Sequence, residues 1–470
     1  MRADLSDPTS LDTIAMAAAI RSRQLSAVEV VDAHLERIEL HNGALNAVVI
    51  LQADRARALA RDADLALDRG ENVGPLHGVP FTIKDSFETE GLRTTASHRP
   101  LADNVPAEDA VVVARIRSAG AILMGKTNLP ELAGTLDCDS ELNGRASNPW
   151  DVTRTPGGST GGGAAGVAAR FSPFEVGSDA AGSIRVPAHF CGVSGFKPTD
   201  HLVPWAGHIP ELPGSPRLFR QCVSIGPLAR SVRDLQLLTR IIAGPHHRDW
   251  EVPPIDLQPV EPQAMSRLRL RWCSSFGNEI TDRAMAGMIE GFTETLATAG
   301  AHVEHADPWG SDINEVCDAG RGLFVLLAMS GSEPGNGEPA DSAHDLAVAL
   351  SARDRAISRS EAFLDGWDAF VAPVAPAPAF RHQAARGEPV PVDDHEVDYW
   401  SFMNFCVPYN LTGQPSLVLP IGLTPDGLPV GVQVIARRWD DMRLLAIAAA
   451  LEPFAATHLT PPPLPLATVG

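Results

Sequence analysis

Apolar positions along this chain of 470 residues follow two periods, one helical and one strand-like. Near the start they recur at helical spacing in two blocks. Residues 14–20, flanked by Asp12 and Arg21, fit an amphipathic helix, and Ser26 with Glu29 makes a capping box ahead of Val30-Val31-Asp32-Ala33-His34-Leu35. Residues 45–51 look β-like, and 52–69, rich in Ala, Leu, Arg and Asp, predict a helix that stops at Gly70. Strand-like runs follow at 79–83, 121–124 and 174–176, with a helix at 111–118. Residues 268–303 form a second α/β stretch. Near the end, 416–419 and 430–435 predict a hairpin around Pro425-Asp426-Gly427. Strand and helix alternate throughout, which predicts an α/β fold with a substantial parallel sheet.

Proline-rich polar stretches at 245–266, 331–343 and 372–393 interrupt the pattern as boundaries or long surface loops, and no internal repeat is present. At about 150 residues per domain the length alone suggests about three domains, a rule that large α/β enzymes often break. With 38 Lys+Arg against 58 Asp+Glu the net charge is −20, which argues against nucleic acid or an anionic membrane as partner. The hydrophobic fraction of 44% suffices for a large core. Six scattered cysteines with no CxxC pair disfavour a zinc ribbon and a disulfide scaffold and suit a reducing cytoplasm. The first residues lack a basic region followed by an apolar one, and no run of 18 apolar residues predicts a membrane span. Gly 40 and Pro 39 stand out, and they concentrate at 156–166, Pro-Gly-Gly-Ser-Thr-Gly-Gly-Gly-Ala-Ala-Gly. A flexible linker is the plainest reading of that run, but Val167-Ala168-Ala169 and a strand follow it directly.

Three motif matches fail on context. Gly120 to Thr127 satisfies GxxxxGK[ST], yet its four inner residues are apolar and strand-like, and Pro130 interrupts the helix a nucleotide-binding P-loop needs. Gly161-x-Gly163-x-x-Gly166 matches a dinucleotide fingerprint without a preceding strand or a suitably spaced acid. Gly157-x-Ser159-x-Gly161 matches a nucleophile elbow, but residues 148–156 hold two prolines and no strand.

Three segments survive together. In 78–85 a strand ends on Lys84-Asp85; a lysine there usually marks a surface, but one turned inward loses proton affinity and becomes a base. The glycine run presents Ser159 and Thr160. In 178–187, Ser-Asp-Ala-Ala-Gly-Ser-Ile-Arg-Val-Pro, a strand tightens into small residues before a helix, which lets backbone N–H groups converge as an oxyanion hole requires.

With these residues the chain resembles the amidase signature family. The likeness also rests on Gly125-Lys126-Thr127-Asn128-Leu129-Pro130-Glu131, Asn148-Pro149-Trp150, Gly195-Phe196-Lys197-Pro198-Thr199, residues 226–234, 410–415 and 427–433, in order over most of the chain. It implies a single domain over 1–470, with a mixed, mostly parallel twisted central sheet covered by helices on both faces, and a variable region at 245–400 that contributes to the substrate pocket. It implies a Ser–cis-Ser–Lys set: Ser183 as nucleophile, Ser159 bridging through a cis peptide bond and Lys84 as base. Ser183 follows Ser159 by 24 residues, as that pattern needs. Backbone N–H groups of Ala180, Ala181, Gly182 and Ser183 would hold the oxyanion, and Ser178, Asp179 and Arg185 would brace the loop. No cofactor and no metal are implied.

Departures narrow the activity. Thr160 replaces a common serine and keeps the hydroxyl. Val186 stands where glutamine amidotransferase A subunits usually carry Gln, which argues against that role. The acyl pocket is expected from Ala133, Gly134 and Leu136, with Trp205, Leu212, Phe219, Phe402, Phe405 and Tyr409 as an apolar or aromatic wall and no obvious charged anchor. The expected partner is a small hydrophobic or aryl amide or anilide. Carbamates and esters are alternatives with the same residues, and a homodimer is compatible with the chain. A Ser-His-Asp arrangement using His77 or His189 is the in-class rival.

Overall fold

The computed structural model describes residues 5–209, 221–329, 343–457 and 459–466. The capping box forms as predicted: Ser26 N–H donates to Glu29 Oε2 at 2.7 Å and Glu29 N–H to Ser26 Oγ at 3.1 Å, opening the helix Ala27–Leu45. That helix runs to Leu45, so the β-like stretch shortens to β1 (Val48–Leu51). The helices Ala53–Asp68 and Val111–Ser118 fall where the apolar spacing put them.

The remaining strands are β2 (Pro80–Lys84), β3 (Ile122–Thr127), β4 (Phe174–Asp179), β5 (Ser194–Lys197), β6 (Ser224–Ala229), β7 (Arg269–Trp272), β8 (His302–His305), β9 (Ala369–Pro373), β10 (Val390–Val392), β11 (His395–Val397), β12 (Ser416–Leu423) and β13 (Pro429–Ile435). A three-stranded sheet has the order β1-β3-β2, β10 and β11 form a ribbon, and eight strands make the main sheet, β4-β6-β5-β12-β13-β9-β7-β8. Helix Arg185–Cys191 packs on β5, β12 and β13, while Val232–Ile242 packs on β5 and β6 and Asp441–Leu451 on β12 and β13. The result is one α/β domain with a large mixed sheet flanked by helices.

The expectation of a mostly parallel sheet is corrected. Only the β9/β7 and β7/β8 pairings are parallel; the other five in the main sheet are antiparallel. The cause is strand insertion. β4 and β5, joined through a helix, do run parallel, but β6 lies between them and pairs antiparallel with both. The predicted hairpin adds another antiparallel pair, β12/β13. Alternation of strand and helix fixes the direction of successive strands, not which strands become neighbours.

A second correction concerns the glycine run, where Gly161–Ala168 is a wholly buried helix. Glycine is a poor helix former, yet here it permits close approach. A Cβ on Gly162 would lie 2.5 Å from Asn128 N, and one on Gly163 would lie 2.4 Å from Glu175 Cγ. The main buried apolar cluster draws on residues from Leu11 to Leu451 and includes Leu270, Ile289 and Leu296 of the 245–400 stretch, while Phe276, Trp309, Phe370 and Phe405 form a second cluster.

Candidate active site

Strands β2 and β4 meet through stacked Phe81 and Phe174, 5.6 Å between centroids, and through Thr82 Oγ1, which donates to Glu175 Oε2 at 2.7 Å. This crossing brings the C-terminal ends of both strands together. Lys84 ends β2 and is fully buried. Its Nζ lies 2.7 Å from Ser159 Oγ and 3.1 Å from Ser178 Oγ. The peptide bond Gly158–Ser159 is cis. Burial pushes Lys84 down to about 7, with Cys138, Asp179 and Glu175 pulling the other way. Near neutral pH about half of its population is therefore the free amine.

The turn after β4 is built on Asp179. Its carboxylate accepts from Gly182 N–H at 2.8 Å, Ile184 N–H at 3.1 Å and both Nε and Nη2 of Arg185, at 3.0 and 2.9 Å. Burial alone would raise this carboxyl; the Arg185 charge and hydrogen bonds, with Lys197 and Asn410, overcome that and hold it below its usual value. Gly182 sits at φ +108°, a conformation that side chains resist. The turn leaves Ser183 half-buried, and Thr160 N–H donates to Ser183 O at 3.1 Å, tying the glycine run to it. No hydrogen bond joins Ser159 Oγ to Ser183 Oγ. The N–H groups of Ala180, Ala181 and Ser183 have no acceptor among the described residues. Gly182 departs from the expectation: its N–H is already spent on Asp179, so three of the four predicted donors remain.

Ser183, Ala180 and Ala181 open on a cavity of about 310 Å³, which Ala133, Gly134 and Leu136 also line. Trp205 is corrected: it is buried away from this cavity, its backbone N–H donates to Asp249 Oδ2 and its ring packs on His208 at 4.2 Å. Phe402, Phe405 and Tyr409 are core as well, Phe405 stacking on Phe276 at 5.3 Å. Leu212 and Phe219 lie outside the described residues. The wall comes instead from Gly320, Arg321, Phe324 and Val325 on the helix Ile313–Met329, with Trp400 and Met403. Arg321 is the charged group absent from the sequence expectation. It is countered locally, donating to Asp318 Oδ1 at 2.7 Å and Asn404 Oδ1 at 2.6 Å.

The rival motifs fail in space too. Lys126, the P-loop lysine by letter, is fully buried and donates to Phe87 O, Thr89 Oγ1 and Thr94 Oγ1. His77 and His189 meet backbone groups of Ala63, Ala377 and Gly431, and neither bonds to a serine hydroxyl. Among the described residues no group of three His, Cys, Asp or Glu side chains is arranged to hold a metal ion, and no helix is long and apolar enough to cross a membrane.

A buried lysine lies against a serine, a second serine stands on a braced turn and an apolar cavity opens in front; these are residue types that acyl transfer through a covalent intermediate uses. The chain belongs to the amidase family, whose model, described as Amidase, matches residues 29–316 and 334–445, and is an amide C–N hydrolase. It is 32% identical to an acylamidase of Rhodococcus erythropolis, over 94% of this chain and 95% of the relative. It is 34% identical to the A subunit of the glutamyl-tRNA(Gln) amidotransferase of Anaeromyxobacter sp. (strain K), over 93% and 94%. Among solved structures it resembles a bacterial aryl acylamidase of the amidase signature enzymes, at 26% identity and a TM-score of 0.81, over 94% of this chain and 96% of that one.

Proposed function

We propose that the protein hydrolyses hydrophobic or aryl-bearing amides through an acyl-enzyme on Ser183. The observation that carries this reading is the buried Lys84–Ser159 contact of 2.7 Å behind a serine that opens on an apolar cavity. Neutral Lys84 takes the Ser159 proton as Ser159 takes that of Ser183, and Ser183 Oγ attacks the substrate carbonyl. The oxyanion is met by the free N–H groups of Ala180, Ala181 and Ser183. The proton returns through Ser159 to the leaving amine, and water then attacks the acyl-enzyme by the same route to release the acid. The Ser159–Ser183 link closes with substrate in place, since catalytic hydrogen bonds tighten in the reacting complex.

Substrate choice follows from the wall. Phe324, Val325 and Trp400 offer apolar surface, and the Arg321 charge is already matched by Asp318, so a neutral acyl group fits best. These residues fall within 245–400, and we assign that region to substrate selection. Turnover of aryl acylamides and anilides in preference to small polar amides is the expected result of a substrate panel. Turnover confined to the small polar amides contradicts the reading, and carbamate and ester arms define the bond preferred. The likeness to amidotransferase A subunits supports a second reading, glutamine hydrolysis, which the same panel tests by ammonia release from glutamine.

A further inference from the structure

Behind Lys84 lies a polar chain that the proposed reaction does not use. Ser178 Oγ, 3.1 Å from Lys84 Nζ, is 2.9 Å from His208 Nε2, and the same nitrogen is 3.0 Å from Ser86 Oγ. All four side chains are buried. The ring is packed on both faces and bonded only through Nε2; its Nδ1 is buried without a hydrogen-bond partner among the described residues. Ile209 N–H donates to Ser86 O and Glu88 N–H to Gly207 O, both at 2.8 Å, while Phe87 meets the ring edge-on at 4.7 Å and Trp205 covers it at 4.2 Å.

Resting on the proposed role of Lys84 as base, we propose that His208 is a positioning residue: its Nε2 accepts the Ser178 hydroxyl proton and so fixes which way the lysine lone pair points. A hydroxyl has one proton to give and two lone pairs to receive with. With its proton committed to His208, Ser178 meets Lys84 only as an acceptor. The amine then directs an N–H at Ser178 and its lone pair at Ser159, the group from which it must take a proton. Without His208 the Ser178 proton is free to turn onto that lone pair and compete with Ser159. Among the described residues the groups facing the ring are Lys84, Lys126, Ser86 and Ser178; burial first, then the two lysines, hold it well below its usual value, so it stays neutral. The inferred tautomer carries its proton on the unpartnered Nδ1 and gives the single Nε2 lone pair to Ser178 rather than to Ser86. Those facing Lys84 are Cys138, Asp179 and Glu175.

The test is a double-mutant cycle on the full chain read by the pH profile of kcat/KM. His208→Phe keeps the ring volume and removes the acceptor; it is expected to lower kcat/KM by about 10- to 100-fold. It should also move the acid limb to lower pH, because a hydroxyl that donates to the amine favours its neutral form. His208→Gln, whose Oε1 can accept from Ser178, should restore the wild-type limb and most of the rate. In a Ser178→Ala background His208→Phe should add little further loss. The proposal is overturned by an unchanged limb in His208→Phe, by equal loss in the Gln and Phe variants, or by losses that simply add. Wild-type protein that turns over no amide and takes no serine-reactive label would instead sink the proposed function itself.

Discussion

The proposed role of Lys84 as base, with its proton affinity lowered to about 7, makes a sharp kinetic prediction. The active form is the free amine, so kcat/KM should rise with pH and level off above about 8. Between pH 6 and pH 8 the neutral fraction grows from about a tenth to about nine-tenths, a gain of about tenfold. A lysine at its ordinary value of 10.5 would give about 100-fold over the same interval with no plateau. Stability carries the same signature. Between about 7 and 10.5 the unfolded chain holds a proton that the folded one lacks, so stability rises with pH across that window: the burial of the amine is a penalty fully present below about 7 and gone above about 10.5. The full difference, at about 1.4 kcal/mol per unit, is about 5 kcal/mol. Lys84→Met removes it. Ser159 then loses its partner at a cost of about 1–3 kcal/mol, while Ser178 keeps His208. The variant should therefore be inactive yet about 2–4 kcal/mol more stable at pH 7, with a flatter dependence of stability on pH. Urea unfolding at pH 7 and 9, beside the wild-type rate profile, measures both effects. A wild-type rate that climbs unbroken through pH 9, or a Lys84→Met chain less stable than wild type, refutes the account of the lysine.

Two further substitutions probe the scaffold. Asp179→Asn leaves Arg185 buried without its counter-charge and should cost about 3–5 kcal/mol in urea unfolding; a loss under about 1 kcal/mol would mean that the pair does not hold the nucleophile turn. Gly163→Ala should lower stability by about 1–3 kcal/mol despite its better helix propensity, because its Cβ would lie 2.4 Å from Glu175 Cγ. Gly166→Ala, with Phe171 Cβ at 3.9 Å, is the control expected to be neutral or stabilising, and urea unfolding of the two variants beside wild type compares them.

Much of the site was legible because its chemistry is local. Lys84 at a strand end, Ser159 in the glycine run and Ser183 after a tightening strand each carry a short pattern, and the fold gathers them around one point. The glycine helix was not legible, since propensity argues against it and only the approach of Asn128 and Glu175 explains it. Strand direction escaped for a similar reason: nothing local in β6 says that it enters between β4 and β5. The pocket wall was misread because Phe324 and Trp400 reach it only through the docking of distant segments, while Trp205, beside the motif in sequence, turns inward onto His208. The spent N–H of Gly182 is visible only once the Asp179 carboxylate is placed.

The central claim, that Ser183 is acylated with Lys84 and Ser159 behind it, is tested most directly by labelling with a serine-reactive fluorophosphonate and mapping the modified residue by mass spectrometry. One adduct on Ser183 is predicted, abolished in Ser183→Ala, strongly slowed in Lys84→Ala and Ser159→Ala, and suppressed by a turned-over aryl amide. Labelling that persists in Ser183→Ala, or that proceeds at the wild-type rate in Lys84→Ala, contradicts it.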